Sequence, residues 1–303
     1  MKDTFTIAQF RERFPNDDAC LQEVFRLRFG HLNECPACNA VFNYRRVTTI
    51  SKKNKEQRKS FQCASCAHQL YPLVGTIYEK SRTPLTYWFY SIYLYTATRN
   101  GVAGKELERQ LGVTYKTAFR ISHKIRQLMA MNRDNHFDGV IQIDELYTGG
   151  ALGNKHGYAA NWRRIKEGPD YNKKKILGII ENNGAVRTEV FNDATDLQII
   201  PLILKNVKKG SVIVTDGHRM YDGLEALGYI HITVKHSENQ WVKDGFHTNS
   251  IEGFWSQLER MIKGTHIKVT KKYMQKYADE ASFRYSYRKR PTEMFDVLLE
   301  KLV

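Results

Sequence analysis

Two closely spaced cysteine pairs, Cys35-x-x-Cys38 and Cys63-x-x-Cys66, constrain this chain more than any other feature of its sequence. Each pair sets two thiolates on one tight turn, and two such turns brought together make the tetrahedral sulfur cage that Zn²⁺ prefers. Four cysteines leave no open coordination position, so the expected ion is structural, and its binding can fold a module too small to hold a core of its own. Thiols kept in this pattern fit a reducing compartment. His31 and His68 lie nearby and are not required as ligands, and the fifth cysteine, Cys20, is expected to pack as a small apolar residue. Short β-type runs, VFNYRRVTTI, SFQC and HQLYPLVGTIY, surround a basic loop with Lys52, Lys53, Lys55, Arg58 and Lys59. That loop suits phosphate contacts, or is only a solvated hairpin tip. The metal-stapled module is bounded at 33–80, behind an N-terminal helical segment at 1–32.

The chain has 303 residues, enough for several small domains, and 47 Lys plus Arg against 32 Asp plus Glu give a formal charge of +15. Such a surface attracts polyanions without naming a function. No apolar run approaches the ~20 residues of a membrane span and no leader pattern is visible, so a cytoplasmic, nucleoid-associated protein is expected. The aromatic stretch Leu85 to Ala97 is too short and hydroxyl-rich to cross a bilayer; it reads as a buried helix with Thr83-Pro84 as its cap. After it, AGKELERQLGVTYKTAFRISHKIRQLM places Leu107 and Leu111 one turn apart, then Gly112, then Ala118, Ile121 and Ile125 at helical spacing. This is a helix-turn-helix-like pattern. Its second helix, from Thr114, would present Tyr115, Lys116, Thr117 and Arg120 to a DNA major groove, with Lys124 and Arg126 adding charge. An ordinary helical hairpin is the alternative. This section is bounded at 81–135.

From residue 136 to 303 strands alternate with helices, the signature of an α/β domain. Strands are predicted at 140–145, 175–182, 186–191, 211–215 and 231–234, and helices near 196–207, 218–227, 248–263 and 270–285. A Gly-, Asn- and Lys-rich stretch at 149–175 separates the first two strands. VIQIDE brings Asp144 to a strand end, and SVIVTD brings Asp216 to another. In FHTNSIEGFWSQLERMIKG the apolar stripe Ile251, Trp255, Leu258 and Ile262 makes a helix able to deliver Glu252 to the two aspartates. Three converging carboxylates repel one another unless cations neutralise them, which points to hard divalent ions, Mg²⁺ or Mn²⁺. Two such ions about 4 Å apart activate the attacking oxygen of a phosphodiester reaction and stabilise the leaving one.

The spans IDELYTGG, VTDGHRMYDGL and HTNSIEGFWSQLERMIKGTH, following a four-cysteine ribbon, resemble the insertion-sequence DDE transposases with an N-terminal zinc ribbon, ISXO-type relatives of the Merlin elements. The resemblance runs from about residue 30 to 290 and implies a ribonuclease-H-like catalytic domain. In such a fold the first Asp lies on the opening strand, the second at the end of the fourth, and the Glu on a later helix. Asp144, Asp216 and Glu252 match those motifs in turn. Part of the group counts an Asn as the third catalytic residue, which makes Asn249 the alternative ligand, while His247 positions substrate or caps the helix. Members usually carry a Lys about seven residues after the Glu; here Glu259 stands there. Arg260 and Lys263 are expected to take over the phosphate contact, with Glu259 facing solvent.

The reading that results is a metal-dependent enzyme that cleaves element ends and joins their 3′ hydroxyls to target DNA. It acts as a homo-oligomer assembled on DNA, with no membrane and no small-molecule substrate. Two rivals stand beside it: a DNA-binding regulator whose carboxylates are idle, and a nuclease of the same fold that cuts without joining.

Overall fold

A computed structural model describes residues 5–50, 57–130, 136–148, 174–182, 184–191, 198–234 and 242–301. Most of the 149–175 stretch, and Lys52, Lys53 and Lys55 of the basic loop, lie outside the described residues. Contacts divide the chain into two units, one formed by Met1–Leu128 with Arg290–Val303 and the other by Met129–Lys289.

In the first unit, helix α1 (Ile7–Arg13) starts at a capping box between Thr6 and Gln9. Helix α2 (Asp17–Phe29) starts at Asn16, with Asp17 and Asp18 where the helix dipole favours negative charge. Cys20 is fully buried on α2, as a small apolar residue would be. The metal module is a three-stranded antiparallel sheet of β1 (Tyr44–Arg46), β2 (Phe61–Cys63) and β3 (Gln69–Leu70). These strands are shorter than the β-type runs predict. After Leu70 the chain goes into turns, because Pro72 has no N–H to continue the ladder and Gly75 takes a left-handed φ of 79°. Helix α3 (Leu85–Ala97) buries Trp88, Phe89, Ile92 and Tyr95; Pro84 itself occupies the cap position and no side chain caps the helix. Helices α4 (Gly104–Leu111) and α5 (Tyr115–Met129) follow, joined through Gly112 at φ 63°.

In the second unit, β4 (Val140–Thr148), β5 (Lys174–Glu181) and β6 (Val186–Phe191) form an antiparallel meander. Helix α6 (Ile199–Asn206) follows, and then β7 (Val212–Thr215) and β8 (Ile230–Thr233) run parallel to β4, giving the sheet order β6-β5-β4-β7-β8. Strand alternation splits the apolar residues between two faces. Ile141, Ile143, Leu177 and Ile179 pack with Ile199 and Ile203 of α6. On the other face Ile176, Ile180 and Val186 pack with residues of α7 (Asn249–Arg260) and α8 (Met274–Ser286).

Two predicted helices take other forms. Near 218–227 the chain makes two 3-10 turns, Arg219–Tyr221 and Glu225–Leu227, in place of an α-helix. Tyr221, Leu224 and Leu227, all in or against the core, recur every third residue, which suits the 3-10 repeat better than 3.6, and Gly223 adds a helix penalty of about 1 kcal/mol. The helix predicted at 248–263 keeps α pitch only to Arg260 and continues as a π-helical turn, Met261–His266.

Helix α9 (Met294–Glu300) falls in the range 136–303 read as one domain, yet it belongs to the first unit. Its Phe295 ring lies 4.9 Å from Phe5, 5.8 Å from Phe14 and 6.1 Å from Phe10, and Arg13 bonds Asp296 at 2.7 Å. Periodicity shows that α9 is amphipathic and gives no address for its apolar face. Among the described residues no helix is long and apolar enough to cross a membrane.

Candidate active site

The three carboxylates come from β4, from the end of β7 and from α7; Asp144 lies in the middle of β4, which runs on to Thr148, and not at the strand end expected from sequence. Asp144 lies on the central strand β4, and Asp216 directly follows β7, its parallel neighbour. The ladder pairs Gln142 with Val214, so continuing it sets Asp144 beside Asp216. Glu252 stands on the first turn of α7, whose buried stripe of Ile251, Phe254, Trp255 and Leu258 packs on the sheet.

Two contacts that sequence periodicity does not reveal fix α7 to β4. Thr248, at the cap position, makes no side-chain cap bond; instead the buried Gln142 Oε1 accepts from the backbone N–H groups of Ser250 and Ile251, each at 3.1 Å. One turn along, Trp255 Nε1 donates to Asp144 Oδ2 at 2.9 Å. The Tyr285 hydroxyl also donates to Ser250 O at 3.0 Å, tying the same turn to α8.

Burial raises the Asp144 pKa above the usual carboxylate range. Hydrogen bonds from the Trp255 indole and the Glu145 backbone N–H oppose the rise, and the charges of Asp216 and Glu252 add to it. The charges of Asp216 and Glu252 are thus both felt at Asp144, and hard oxygen donors so placed suit a divalent cation. They are not closed into a tight cluster, since among the described residues only the four cysteines bring three or more ligand atoms all within 4.8 Å. Thr248 Oγ1 donates to Glu252 Oε1 at 3.1 Å, and the His218 backbone N–H donates to Asp216 Oδ1 at 3.1 Å.

A fourth carboxylate was not singled out by motif. Glu145 follows Asp144 on β4, takes a hydrogen bond from the Tyr221 hydroxyl, and is pushed up to about 7 by burial, with Asp144 and Asp216 adding to the rise. Asn249, the alternative ligand, is exposed at the start of α7. His247 does not cap that helix; Gln142 does, and His247 Nδ1 has no hydrogen-bond partner among the described residues.

At the end of α7, Arg260 is exposed. Lys263 does not stand alone, because its Nζ pairs with Glu259 Oε2 at 3.0 Å. Glu259, read from sequence as facing solvent, is thus half-exposed and neutralises the lysine expected to replace the missing one.

In the metal module the four sulfurs all lie within 4.8 Å of one another, with Cys35 to Cys66 at 3.8 Å and Cys38 to Cys63 at 4.0 Å. A tetrahedron with Zn–S bonds of about 2.3 Å has edges of about 3.8 Å, so the donors fit zinc. Burial would raise the Cys35 thiol, but bonds from Tyr44 and nearby backbone N–H groups outweigh it and bring it down to about 6. His68 is closer to this site than a bystander: its Nδ1 is 2.9 Å from the Tyr44 hydroxyl, which is 3.1 Å from Cys35 Sγ.

Of the α5 residues proposed from sequence, Lys116 is exposed and Thr117 sits 3.1 Å from the Thr114 hydroxyl. Arg120 reaches Thr83 Oγ1 at 3.2 Å and, with Lys80, Trp88 and Lys124, lines an open cleft of about 260 Å³. Arg126 is buried, its guanidinium 5.3 Å from the Tyr95 ring centre, and so is no DNA contact in this structure.

Two family models match in tandem: a transposase zinc-ribbon domain over residues 15–69 and an ISXO2-like transposase domain over 136–286. The chain is 24% identical over 274 residues to an uncharacterized protein in transposable element ISH50 of Halobacterium salinarum, covering 88% of this chain and 90% of the relative. An uncharacterized transposase-like protein of Haemophilus influenzae is 26% identical over 101 residues, covering 33% of this chain and 80% of the relative. Among solved structures, the Mos1 strand transfer complex aligns over 68% of this chain and 77% of that one at 10% identity, with a TM-score of 0.23, too slight a likeness to bear on fold or chemistry. With both its cysteine module and its carboxylate-bearing sheet matched in the order the family carries them, this chain belongs to the insertion-sequence transposases that join a zinc ribbon to an ISXO2-like transposase domain.

Proposed function

We propose that this protein cleaves DNA at the ends of its element and joins the freed 3′ hydroxyls to target DNA, using Asp144, Asp216 and Glu252 to hold divalent cations. The observation that carries the reading is the convergence just described: two aspartates on adjacent parallel strands and a glutamate on a helix bonded to the first of those strands, with each charge felt by Asp144. The strand order, with Asp144 on the first strand and Asp216 after the fourth, agrees with a ribonuclease-H-like fold.

Mg²⁺ or Mn²⁺ bound there supplies Lewis-acid activation of the attacking oxygen and charge stabilisation of the leaving one. The chain's own part is positional. Gln142 and Trp255 hold α7 against β4 so that Glu252 faces the aspartates, and Asn249 at the same helix start is available to the substrate. In the first unit, α4 and α5 act as a helix-turn-helix, with Lys116, Thr117 and Arg120 meeting DNA, and the zinc ribbon supports recognition. The cytoplasmic nucleoid is the site of action, and two copies act together on two ends.

Duplex DNA carrying the natural flanks of the coding sequence tests this directly. Asp144→Asn, Asp216→Asn and Glu252→Gln should each cut cleavage by more than about 10³-fold while leaving DNA binding intact. Pre-cut ends with free 3′ hydroxyls should be joined; cutting without joining would leave a nuclease, and binding without cutting a regulator.

A further inference from the structure

Asp144 meets an aromatic ring whose placement has been prepared on the opposite strand. Trp255 Nε1 donates to Asp144 Oδ2 at 2.9 Å, and the indole edge lies over Gly178, the residue registered with Asp144 on β5. A Cβ at Gly178 would stand 2.7 Å from both Cζ2 and Cη2 of that indole and 3.1 Å from Ile251 Cδ1. The two 2.7 Å separations are shorter than real contacts and the 3.1 Å one is tight, so any larger residue at 178 would lift the ring from the sheet. Gly178 sits in the middle of a β-strand flanked by Leu177 and Ile179, a place where glycine costs stability and signals close approach by another group. Trp255 is 7% exposed, so its N–H is spent on the carboxylate rather than on water.

From this geometry we infer that Trp255 is a positioning residue for the metal-holding Asp144, with Gly178 as the space that lets the indole reach it. The inference rests on the reading of Asp144 as a cation ligand. A carboxylate with one oxygen held by a rigid, packed N–H donor has a fixed plane, and partners of this outer kind typically change metal affinity or activity by 10- to 100-fold. The indole is well suited to the task. It donates and cannot accept, it has no charge with which to compete with a cation, and its packing on the sheet removes rotational freedom.

The test replaces Trp255 in the full-length, zinc-loaded protein with 3-benzothienylalanine, in which sulfur takes the place of the N–H and the ring shape is kept. Mn²⁺ affinity is read from the electron paramagnetic resonance of the free ion, with Asp144→Asn as reference, and DNA cleavage from kcat and KM. The expected result is a Mn²⁺ dissociation constant raised at least about tenfold, kcat lowered to a similar degree, KM for DNA unchanged, and an unaltered melting temperature. If Asp144→Asn weakens Mn²⁺ binding but the benzothienyl variant matches wild type in affinity and kcat, the positioning role is wrong and the metal site stands. If Asp144→Asn leaves Mn²⁺ binding unchanged, the metal site falls and this inference with it. A second measurement needs no altered Asp144 partner: the Trp255 indole N–H resonance should move on Mg²⁺ addition with the midpoint of the binding curve. An unmoved resonance at saturating Mg²⁺ overturns the proposal even if the isosteric variant does not fold.

Discussion

Replacing Gln142 by leucine should loosen the carboxylate site of the second unit, although residue 142 touches no reacting atom. Its Oε1 accepts from two N–H groups of the first turn of α7, Ser250 and Ile251, at 3.1 Å each. Leucine fills similar volume and accepts nothing. The Ser250 N–H then has no other hydrogen-bond acceptor among the described residues, whereas that of Ile251 keeps Thr248 O at 3.1 Å. One orphaned donor and one weakened bond amount to a loss of about 2 kcal/mol, in the upper range for a lost helix cap. For a unit of about 160 residues that corresponds to a melting shift of about 4–8 °C. Circular dichroism melts of wild type and Gln142→Leu, with urea midpoints as a check, measure it. Glu252 lies on the same turn, so cleavage should fall more steeply with temperature in the variant. A melting shift below about 1 °C, with unchanged activity, would refute the claim that a strand residue caps this helix.

Three further outcomes follow from the geometry. Cys38→Ser should abolish stoichiometric zinc and open residues 33–80 to protease, because the remaining sulfurs cannot close the tetrahedron; retained zinc after the substitution would count against a four-sulfur site. Glu259→Gln should release Lys263 from its 3.0 Å partner, raising DNA affinity a few-fold at low salt and steepening the salt dependence by up to about one counterion; an unchanged slope means that Lys263 meets no phosphate. Glu145, pushed by burial from its ordinary 4.5 to about 7, favours the folded state when protonated. Without divalent cations its contribution is therefore complete below about pH 4.5 and lost as pH rises through 7, so wild type should lose more stability over that range than Glu145→Gln does. Parallel pH profiles for the two proteins would remove Glu145 as the source.

Features written in local spacing were legible from the chain. The cysteine pairs predict their own cluster, and the β-branched runs before Asp144 and Asp216 predict two strands, because spacing and alternation act within a few residues; only Asp216 follows a strand end, since β4 runs on past Asp144 to Thr148. What joins them is not local. Gln142 caps a helix start 108 residues away, and nothing about a glutamine in a strand distinguishes that use from an outward-facing one. Trp255 reads as one apolar position in a stripe, and only the register of β4 against β5 shows that Gly178 makes room for it. The 3-10 turns at 219–227 were discernible in the three-residue recurrence of Tyr221, Leu224 and Leu227. Arg126 shows the opposite failure. A basic residue near a DNA-binding pattern reads as a surface charge, but its helical position turns it inward against Tyr95.

The return of α9 to the first unit has a bearing on synthesis and on truncation. Both ends of the carboxylate-bearing unit are strung from the same body, and Phe295 completes an aromatic group begun by Phe5, Phe10 and Phe14. On the ribosome the carboxylate-bearing sheet therefore has all its strands before α9 can complete the cysteine-bearing unit. A stop codon shortly before residue 294 would spare every acidic residue of the site and still deprive the other half of the molecule of its closing helix.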